Sequence, residues 1–220
     1  MTDHAALLGA TEFFADLPPE ALAELANLAV ERRLVRGDVL FGEGDEAAEL
    51  FAVVSGRIAI ANRSFDGRES VLALMEAGDL FGEMPMLDGG GRSADARALE
   101  PSVVLAVPYA PVAHMFQARP DLLWVIVRLL AGRLRSMDVA LAGSVFLDVT
   151  GRTAKRLLEL GGDNDVFQLP VTQEELAGMV GASRERVNKA ISSFIRLGWI
   201  DQVDRRYRIL DRERLAQRAR

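Results

Sequence analysis

The feature that most constrains the fold of this chain is a series of short apolar runs between residues 31 and 107. The runs are rich in Val, Ile, Leu and Phe, and glycine-containing turns separate them, namely "RGD" 36–38, "GEGD" 42–45, "SGR" 55–57, "DGR" 66–68 and "AGD" 77–79. This spacing is typical of an antiparallel sandwich or barrel. The Asp-Gly pair within "SFDGRES", residues 64–70, predicts a hairpin tip. We therefore expect a jelly-roll-like β-barrel.

Helical patterns lie on both sides of this region. Residues 18–30 predict a helix with Pro at its start, and a short helix is expected near 109–118. In the longest helical pattern, 121–146, apolar residues recur with spacings of 4, 3, 4, 3 and 4, at Leu123, Val127, Leu130, Leu134, Met137 and Leu141. These six residues, the seam, favour a parallel coiled-coil dimer, and the flank with Ile126 and Leu129 is expected to pack on the barrel. The alternative is an ordinary amphipathic helix on its own core.

Charge is divided unevenly along the chain. The 220 residues carry a net charge of −6, but residues 1–148 hold 12 Lys and Arg against 22 Asp and Glu, whereas residues 149–220 hold 14 against 10. The net charge is therefore −10 before residue 149 and +4 after it. Such a division indicates two domains, the basic one facing a polyanion, although so modest an excess also fits random scatter.

Several classes of protein are excluded by what the sequence lacks. There is no cysteine, which rules out disulfides, zinc-thiolate sites and thiolate-held iron–sulfur clusters. A cupin-type metal enzyme or a haem sensor needs clustered ligands, and both histidines, His4 and His114, lie outside the predicted strands. Residues 1–14 lack a signal-peptide pattern, and no apolar run approaches membrane-spanning length. We expect a cytoplasmic protein that is not an enzyme and holds no metal.

The window 172–197 has the pattern of two short helices joined by a tight turn. Thr172 is a good N-cap with Glu175 three residues on, and Gly181 permits the turn before Ser183 caps the second helix. The inward face is apolar, with Val187, Ile191 and either Phe194 or Ile195. Together these features predict a helix-turn-helix, in which Thr172 and Ser183 are also expected to contact DNA.

The first turns of the second helix carry four side chains that can reach base edges, and we call them the charged face: Arg184, Glu185, Arg186 and Lys189. Arginine suits the two acceptors of guanine, and glutamate suits the amino group of cytosine. The following segment, "DQVDRRYRIL" at 201–210, alternates like a hairpin and can act as a wing whose arginines lie along phosphates, at Arg205, Arg206 and Arg208. The alternative is a small helical hairpin whose surface charges are only solvated.

A second constellation lies in "LFGEMPMLDGGGRSADARAL", residues 80–99, which we call the cassette. Gly82 and Glu83 end a strand and open a helical turn, whose free N–H groups can point at an anion. Arg92 can contact phosphate oxygens in a bidentate manner, Ser93 adds a hydroxyl donor, and Glu83 can accept from a ribose 2′-hydroxyl. The cassette therefore predicts a site for a cyclic phosphate on a ribose. The alternative is an internal ion pair between Arg92 and Glu83 or another carboxylate, with the glycines as a flexible surface turn.

Three stretches resemble the cyclic AMP receptor protein branch of the CRP/FNR transcription regulators: "FGEMPMLDGGGRSADARA", "FLDVTGRTAKRLLEL" and "VTQEELAGMVGASRERVNKAI". The resemblance covers nearly the whole chain. It implies an α+β fold with a jelly-roll cyclic-nucleotide-binding barrel (1–120), a dimerisation helix and hinge (121–147) and a C-terminal winged helix-turn-helix (148–220). It also implies a homodimer that responds allosterically to a cyclic nucleotide, here expected to be cyclic AMP (cAMP), and that binds double-stranded DNA and RNA polymerase.

The resemblance also assigns contacts to residues of this chain. In the barrel it implies that Glu83 contacts ribose, that Arg92 and Ser93 contact phosphate, and that Met84 contributes its backbone amide. On the long helix, Arg133 matches an arginine placed near both the phosphate and the ribose-binding glutamate.

In the helix-turn-helix, Arg184, Glu185 and Lys189 match the three base-reading positions, which implies a TGTGA-like half-site with its inverted copy. Lys189 stands where arginine is usual, so discrimination at that guanine is expected to soften.

At the ligand site, four residues depart from the family's pattern: Pro85, Asp95, Met137 and Asp138. Met137 and Asp138 occupy the positions of the adenine-reading pair, but Met137 also belongs to the seam and is expected to pack. Asp138 can accept from an adenine amino group or from guanine N1–H and N2–H₂, so the base stays open. The alternatives are a guanine-type cyclic nucleotide, an empty pocket with constitutive DNA binding, and a module that regulates a protein partner.

Overall fold

The computed structural model describes residues 3–63, 65, 69–204 and 206–220. The chain divides into two compact units, of which the first comprises residues 1–62 and 71–134 and the second residues 63–70 and 135–220. Both units contain fully buried apolar side chains, such as Phe51 in the first and Phe194 in the second. In the part of the chain that is described, no helix is both long and apolar enough to cross a membrane.

Two four-stranded sheets dominate the first unit, with strand orders β1-β8-β3-β6 and β2-β7-β4-β5. The strands are β1 (Val30–Leu34), β2 (Val39–Phe41), β3 (Glu49–Ser55), β4 (Ile58–Arg63), β5 (Glu69–Met75), β6 (Leu80–Phe81), β7 (Asp95–Ala98) and β8 (Ser102–Pro108). Strand β8 pairs antiparallel with β1 and β3, and β7 pairs antiparallel with β2 and β4. The predicted jelly-roll-like fold is therefore confirmed, as a sandwich of two sheets. The predicted hairpin tip at 64–70 lies largely outside the described residues.

Strands β3 and β8 are buried on both faces, which explains their continuous apolar sequence. In β3, Leu50 and Ala52 belong to one core cluster, whereas Phe51 and Val53 belong to another. Successive side chains of a strand point to opposite faces, so a strand between two cores needs no polar alternation. The second cluster lies between the sheets and contains stacked Phe51 and Phe81 rings whose centroids are 5.5 Å apart.

The helical part of the first unit closes the other core cluster. Its elements are α1 (His4–Gly9), α2 (Pro19–Leu28), α3 (Met84–Asp88), α4 (Tyr109–Ala118), a 3₁₀ turn (Pro120–Leu122) and α5 (Leu123–Phe146), which continues into the second unit. Ile126 and Leu129 of α5 pack into the cluster with Leu50 and Phe116. The helices predicted at 18–30, 109–118 and 121–146 are confirmed, as is the packing of the Ile126 and Leu129 flank.

The second unit contains a helix-turn-helix and a small sheet. Its further elements are α6 (Val149–Gly161), β9 (Val166–Gln168), α7 (Gln173–Val180), α8 (Arg184–Arg196), β10 (Ile200–Val203), β11 (Arg206–Ile209) and α9 (Arg212–Arg218). The sheet has the antiparallel order β10-β11-β9. The predicted winged helix-turn-helix is confirmed, whereas α9, which Asp211 caps by accepting from the Arg214 amide, was not predicted.

Candidate functional site

The cassette is folded tightly around two glycines. Gly82 has a φ of +77°, a left-handed conformation that only glycine adopts without strain, and a Cβ there would lie 2.7 Å from Nη1 of Arg92. Gly91 lies against the β2–β3 loop, where a Cβ would be 3.0 Å from the Gly44 carbonyl oxygen. The main chain of Arg92 exchanges hydrogen bonds with that loop, to Gly44 (2.8 Å) and Asp45 (2.9 Å). The three glycines are exposed, and the run is tied to the β2–β3 loop at its Gly91 end.

The Arg92 side chain is 6% exposed and lies inside the first unit. Its Nη1 donates to the Gly82 carbonyl (2.8 Å) and to the Tyr109 hydroxyl (3.0 Å), and its Nη2 donates to the Glu49 carbonyl (2.8 Å). The guanidinium also stacks on Phe41, with Cζ 4.1 Å from the ring centroid. Burial lowers the pKa of Arg92. Contact with Tyr109 and the nearby carboxylates of Glu49 and Asp45 act in the opposite direction and raise it.

One donor of this guanidinium is left over. Nε of Arg92 is buried and has no hydrogen-bond partner among the described residues. The expected alternative, an ion pair between Arg92 and Glu83 or another carboxylate, is wrong, because in the described part of the chain its partners are two carbonyls and a hydroxyl.

Glu83 is fully buried and pairs with Arg133 instead. Nη1 of Arg133 donates to one carboxylate oxygen of Glu83, while Nη2 donates to the Leu80 carbonyl at 3.0 Å. The second carboxylate oxygen, Oε2, is buried without a partner in the described residues. The structure thus brings Glu83 and Arg133 together, and it leaves one acceptor of the pair unused.

The remaining predicted ligand residues are more exposed. The Ser93 hydroxyl lies 3.6 Å from the sulfur of Met84, and both side chains reach solvent. Asp95 accepts from the Glu43 amide at 2.8 Å and so helps to anchor the β2–β3 loop. Met137 and Asp138 lie on the part of α5 that belongs to the second unit, where both are exposed.

The helix-turn-helix is built as its sequence predicts. Thr172 and Glu175 form a reciprocal capping box, with the Glu175 carboxylate 2.6 Å from the Thr172 amide. Gly181 has a φ of +67° at the turn, and Ser183 caps α8 by accepting from the Arg186 amide. Val187, Ile191 and Phe194 are buried, whereas Ile195 is exposed, so Phe194 is the inward residue of that pair.

The charged face points away from this core. Arg184, Glu185, Arg186 and Lys189 are all exposed. Within the described ranges their side chains form no hydrogen bond or ion pair, so their charged groups are free for a partner. On the wing, Arg206 and Arg208 are exposed and alternate with buried Tyr207 and Ile209, while Arg205 lies outside the described residues.

Two residues with contacts at these sites were not among those predicted from the sequence. Tyr109 contacts Arg92, as described above, and Arg152 of α6 holds the end of α7. Nε of Arg152 donates to the Val180 carbonyl (2.8 Å), and its Nη1 donates to the Leu147 carbonyl (2.7 Å). These partners are distant in sequence or on the main chain, so no local motif could have revealed them.

The seam is uncovered in the single chain. Its six residues are between 40% and 67% exposed, from Leu130 to Met137. Such an apolar row along one helix is unusual for a surface that meets only water.

In the described residues, no group of three or more His, Asp or Glu side chains is placed to hold a metal ion.

Comparison with known proteins assigns one family to the region that contains the cassette and another to the region that contains the helix-turn-helix. The cyclic nucleotide-binding domain family matches residues 31–119, and the Crp-like helix-turn-helix domain family matches residues 151–218. A CRP-like cAMP-activated global transcriptional regulator of Mycobacterium tuberculosis is 37% identical over 221 residues, covering 97% of this chain and 99% of that protein.

Solved structures show a similar fold. FixK2 from Bradyrhizobium japonicum superimposes with a TM-score of 0.78 at 22% identity, covering 86% of this chain and 96% of that one. The c-di-GMP responsive regulator CLP of Xanthomonas campestris gives a TM-score of 0.74 at 25% identity, covering 87% and 99%. The chain therefore belongs to the CRP/FNR family of transcription regulators, as a cyclic-nucleotide-responsive, DNA-binding protein rather than an enzyme.

Proposed function

We propose that this chain is a homodimeric regulator that binds cAMP in each barrel and, in that state, grips an inverted-repeat TGTGA-like operator. The observation that carries the proposal is a pair of buried polar atoms without partners among the described residues, Nε of Arg92 and Oε2 of Glu83. One is a cationic donor and the other an anionic acceptor, and both belong to the cassette. A cyclic nucleotide offers the matching groups, a phosphodiester anion and a ribose hydroxyl.

The phosphate fits the unused donors of Arg92. Guanidinium has five N–H donors, and three hydrogen bonds to the protein leave Nε–H and one N–H of Nη2. Nε and Nη2 flank one edge of the planar group, so a phosphate can accept from both. A buried donor without a partner costs about 1–3 kcal/mol, a penalty that an anion would relieve. In the part of the chain that is described, the Ser93 hydroxyl contacts a weak thioether acceptor, and it can turn to a phosphate oxygen.

The ribose fits the unused oxygen of Glu83. Arg133 pairs with the other oxygen of this carboxylate and so fixes its orientation. Oε2 can then accept from a 2′-hydroxyl without any rotation of the side chain. In this proposal Glu83 selects ribose over deoxyribose, Arg92 and Ser93 hold the phosphate, and the main chain from Gly82 to Met84 provides the turn that brings them together.

The exposed seam supports the homodimer. A parallel coiled coil buries a and d positions against a second helix, and the spacing of the seam fits that pairing over three heptads. A second copy of the chain would cover Leu123, Val127, Leu130 and Leu134 on the first unit's part of α5. It would also cover Met137 and Leu141 on the second unit's part.

Two charged faces related by the dimer axis would enter successive major grooves of DNA. Such entry requires the recognition helices to lie about 34 Å apart, one helical turn of the duplex. Arg184 and Glu185 would read a guanine and a cytosine, Lys189 a further guanine, and Arg186 and Arg206 would contact phosphates. Ligand acts as a switch if it binds the DNA-competent arrangement more tightly, with Phe146, Leu147 and Asp148 as the hinge.

Calorimetric titration of nucleotide-free protein with cAMP tests the ligand part of the proposal. We expect saturable binding of one cAMP per chain and weaker binding of 2′-deoxy-cAMP, which lacks the hydroxyl for Glu83. Gel-shift titration with and without cAMP, at several salt concentrations, tests the DNA part, because phosphate contacts make log affinity fall linearly with log salt. Operator affinity that is equal with and without nucleotide would contradict the switch and indicate constitutive DNA binding.

A guanine-type nucleotide is the second candidate. The exposed carboxylate of Asp138 can accept from both guanine N1–H and N2–H₂, and the structurally similar CLP is described as c-di-GMP responsive. Parallel titrations with cyclic GMP and c-di-GMP separate the candidates. Tighter binding of either than of cAMP, together with loss of that preference in Asp138→Asn, would favour the guanine ligand.

A further inference from the structure

Tyr109 connects the phosphate corner to the main chain of the cassette. It is the first residue of α4, directly after β8, and its amide donates to the Ala48 carbonyl at 2.8 Å. Its hydroxyl donates to the Gly82 carbonyl and accepts from Nη1 of Arg92 at 3.0 Å. One hydroxyl therefore touches both the left-handed turn and the cationic side chain.

We propose that Tyr109 is a positioning residue for ligand binding, whose hydroxyl holds the Arg92 guanidinium so that its free edge faces the phosphate. The inference rests on the proposed nucleotide site. Two hydrogen bonds from Nη1, to Gly82 and Tyr109, and one from Nη2, to Glu49, fix the plane of the guanidinium. These three anchors leave Nε–H and one N–H of Nη2 as the unused donors.

The direction of the Tyr109 hydroxyl matters to this arrangement. Because its proton is given to the Gly82 carbonyl, its oxygen lone pairs are free to accept from Arg92. Burial raises the pKa of Tyr109, against the opposing effect of Arg92, so the hydroxyl keeps the proton that the Gly82 carbonyl accepts. Without the hydroxyl, one donor of Nη1 loses its acceptor, and the guanidinium can rotate towards other partners and away from the phosphate.

A substitution of Tyr109 by Phe isolates this role. Phenylalanine keeps the ring that Arg92 approaches, with Cζ 5.9 Å from the centroid, and removes only the hydroxyl. The chain's second tyrosine, Tyr207, is a matched control, since its hydroxyl also accepts a hydrogen bond, from Gln173 at 2.8 Å in the second unit. Tyr207→Phe is expected to leave cAMP affinity unchanged.

A double-mutant cycle on the full chain tests whether Tyr109 acts through Arg92. The four proteins are wild type, Tyr109→Phe, Arg92→Met and the double variant, each titrated with cAMP by calorimetry. We expect Tyr109→Phe to weaken binding about tenfold, which corresponds to about 1.4 kcal/mol. In the Arg92→Met background the same substitution is expected to change affinity less than about twofold, because no guanidinium remains to be positioned.

The outcomes separate this inference from the proposed function. A tenfold loss that disappears in the Arg92→Met background supports the positioning role, and a merely structural role would give equal losses in both backgrounds. Affinity of Tyr109→Phe within twofold of wild type, or equal losses in both backgrounds, overturns the inference while the nucleotide site stands. Failure of wild type to bind cAMP, cyclic GMP or c-di-GMP overturns both.

Discussion

The cassette and the charged face hold their charges in opposite environments. In the cassette, Arg92 and Glu83 are buried, and the protein's own atoms hold each of them in one orientation. On the charged face, Arg184 and Lys189 stand in solvent, and within the described residues their side chains have no partner. Both regions are proposed to bind a phosphate-bearing ligand, so the contrast lies in how the protein prepares for it.

This contrast indicates how each region can be damaged. A buried charge has already lost its hydration when the chain folds, and its orientation depends on every neighbour. Substitutions in the cassette should therefore change stability and ligand affinity together. An exposed charge is hydrated until DNA arrives, so substitutions on the charged face should change affinity alone.

The largest effect is expected from Gly82→Ala. A methyl group at this position would lie 2.7 Å from Nη1 of Arg92 and 3.3 Å from the Phe51 ring, in a backbone conformation with φ at +77°. We expect a loss of at least about 2 kcal/mol in the free energy of unfolding, from the left-handed backbone and the displaced guanidinium. Nucleotide affinity should fall more than a hundredfold, as measured by calorimetry.

Gly89→Ala provides the control for this prediction. Gly89 has nearly the same φ, +72°, but a Cβ there would meet nothing within 4 Å. Its substitution should cost only the backbone contribution, about 1 kcal/mol. Equal losses of stability in the two variants would show that the contact with Arg92 does not matter for stability. The inference that the cassette holds its charged side chains rigidly would then be wrong.

Arg184→Met tests the charged face, where a substitution is expected to change operator affinity and leave stability unchanged. Loss of one bidentate contact to guanine is expected to weaken operator binding by about 1–3 kcal/mol and to relax selectivity at that base pair. The free energy of unfolding should stay within about 0.5 kcal/mol of wild type, because the side chain has no partner in the described structure. Fluorescence anisotropy with matched and mismatched operators, beside denaturant unfolding, measures both quantities.

Arg119→Met removes the same charge from an exposed position in the first unit, where Arg119 pairs with Asp121. It should leave operator affinity and selectivity unchanged. Should Arg184→Met instead weaken matched and mismatched operators equally, Arg184 would be a phosphate contact and not a base reader.

The sequence predicts the two regions unequally well. The charged face follows from local rules, since Thr172, Gly181 and Ser183 form the caps and turn that their residue types favour, and helical period then decides which side chains are exposed. The cassette residues were predicted from their chemistry and from the family resemblance, but the hydrogen bonds of Arg92 were not. Its partners Gly82, Glu49 and Tyr109 come from three separate parts of the chain, and two of the contacts are to main-chain carbonyls that every residue possesses.

Glu83→Gln tests the buried acceptor Oε2 of Glu83, and its expected loss of affinity is smaller than that of Gly82→Ala. Glutamine keeps the shape of the side chain, but once its carbonyl pairs with Arg133, its amide group replaces Oε2 with a donor. We expect cAMP affinity to fall about tenfold, near the value of a hydrogen bond to a charged group, and the preference for cAMP over 2′-deoxy-cAMP to disappear.

Glu46→Gln is the matched control for that change, because Glu46 is exposed in the same unit and its loss removes the same charge. It should keep both the affinity and the preference for the 2′-hydroxyl. Persistent discrimination against 2′-deoxy-cAMP in Glu83→Gln would assign ribose recognition to another group.

The smallest effect, on stability, is expected at Asp148. Its carboxylate is exposed, as on the charged face, but it has hydrogen-bonding partners, as in the cassette. It caps α6 by accepting from the Gly151 amide at 2.8 Å, and it pairs with Arg218 of α9. The Gly151 hydrogen bond and the Arg218 pair hold the pKa of Asp148 below its ordinary value, although burial opposes them. A carboxyl whose pKa is lower in the folded state stabilises the protein above its unfolded pKa, near 4, and this contribution is lost as pH falls through the folded value.

Asp148→Asn keeps the cap acceptor and removes the charge. At pH 7 the variant should be less stable than wild type by about 0.5 kcal/mol, as for other exposed ion pairs. The difference should shrink as pH falls below about 4, because the wild-type carboxyl then becomes neutral as well. Denaturant midpoints of both proteins between pH 7 and pH 3 measure it, and a difference that stays constant across this range would show that the charge of Asp148 contributes nothing. An exposed charge would then contribute nothing to stability even when it has partners. Burial alone would decide that substitutions in the cassette change stability and those on the charged face do not.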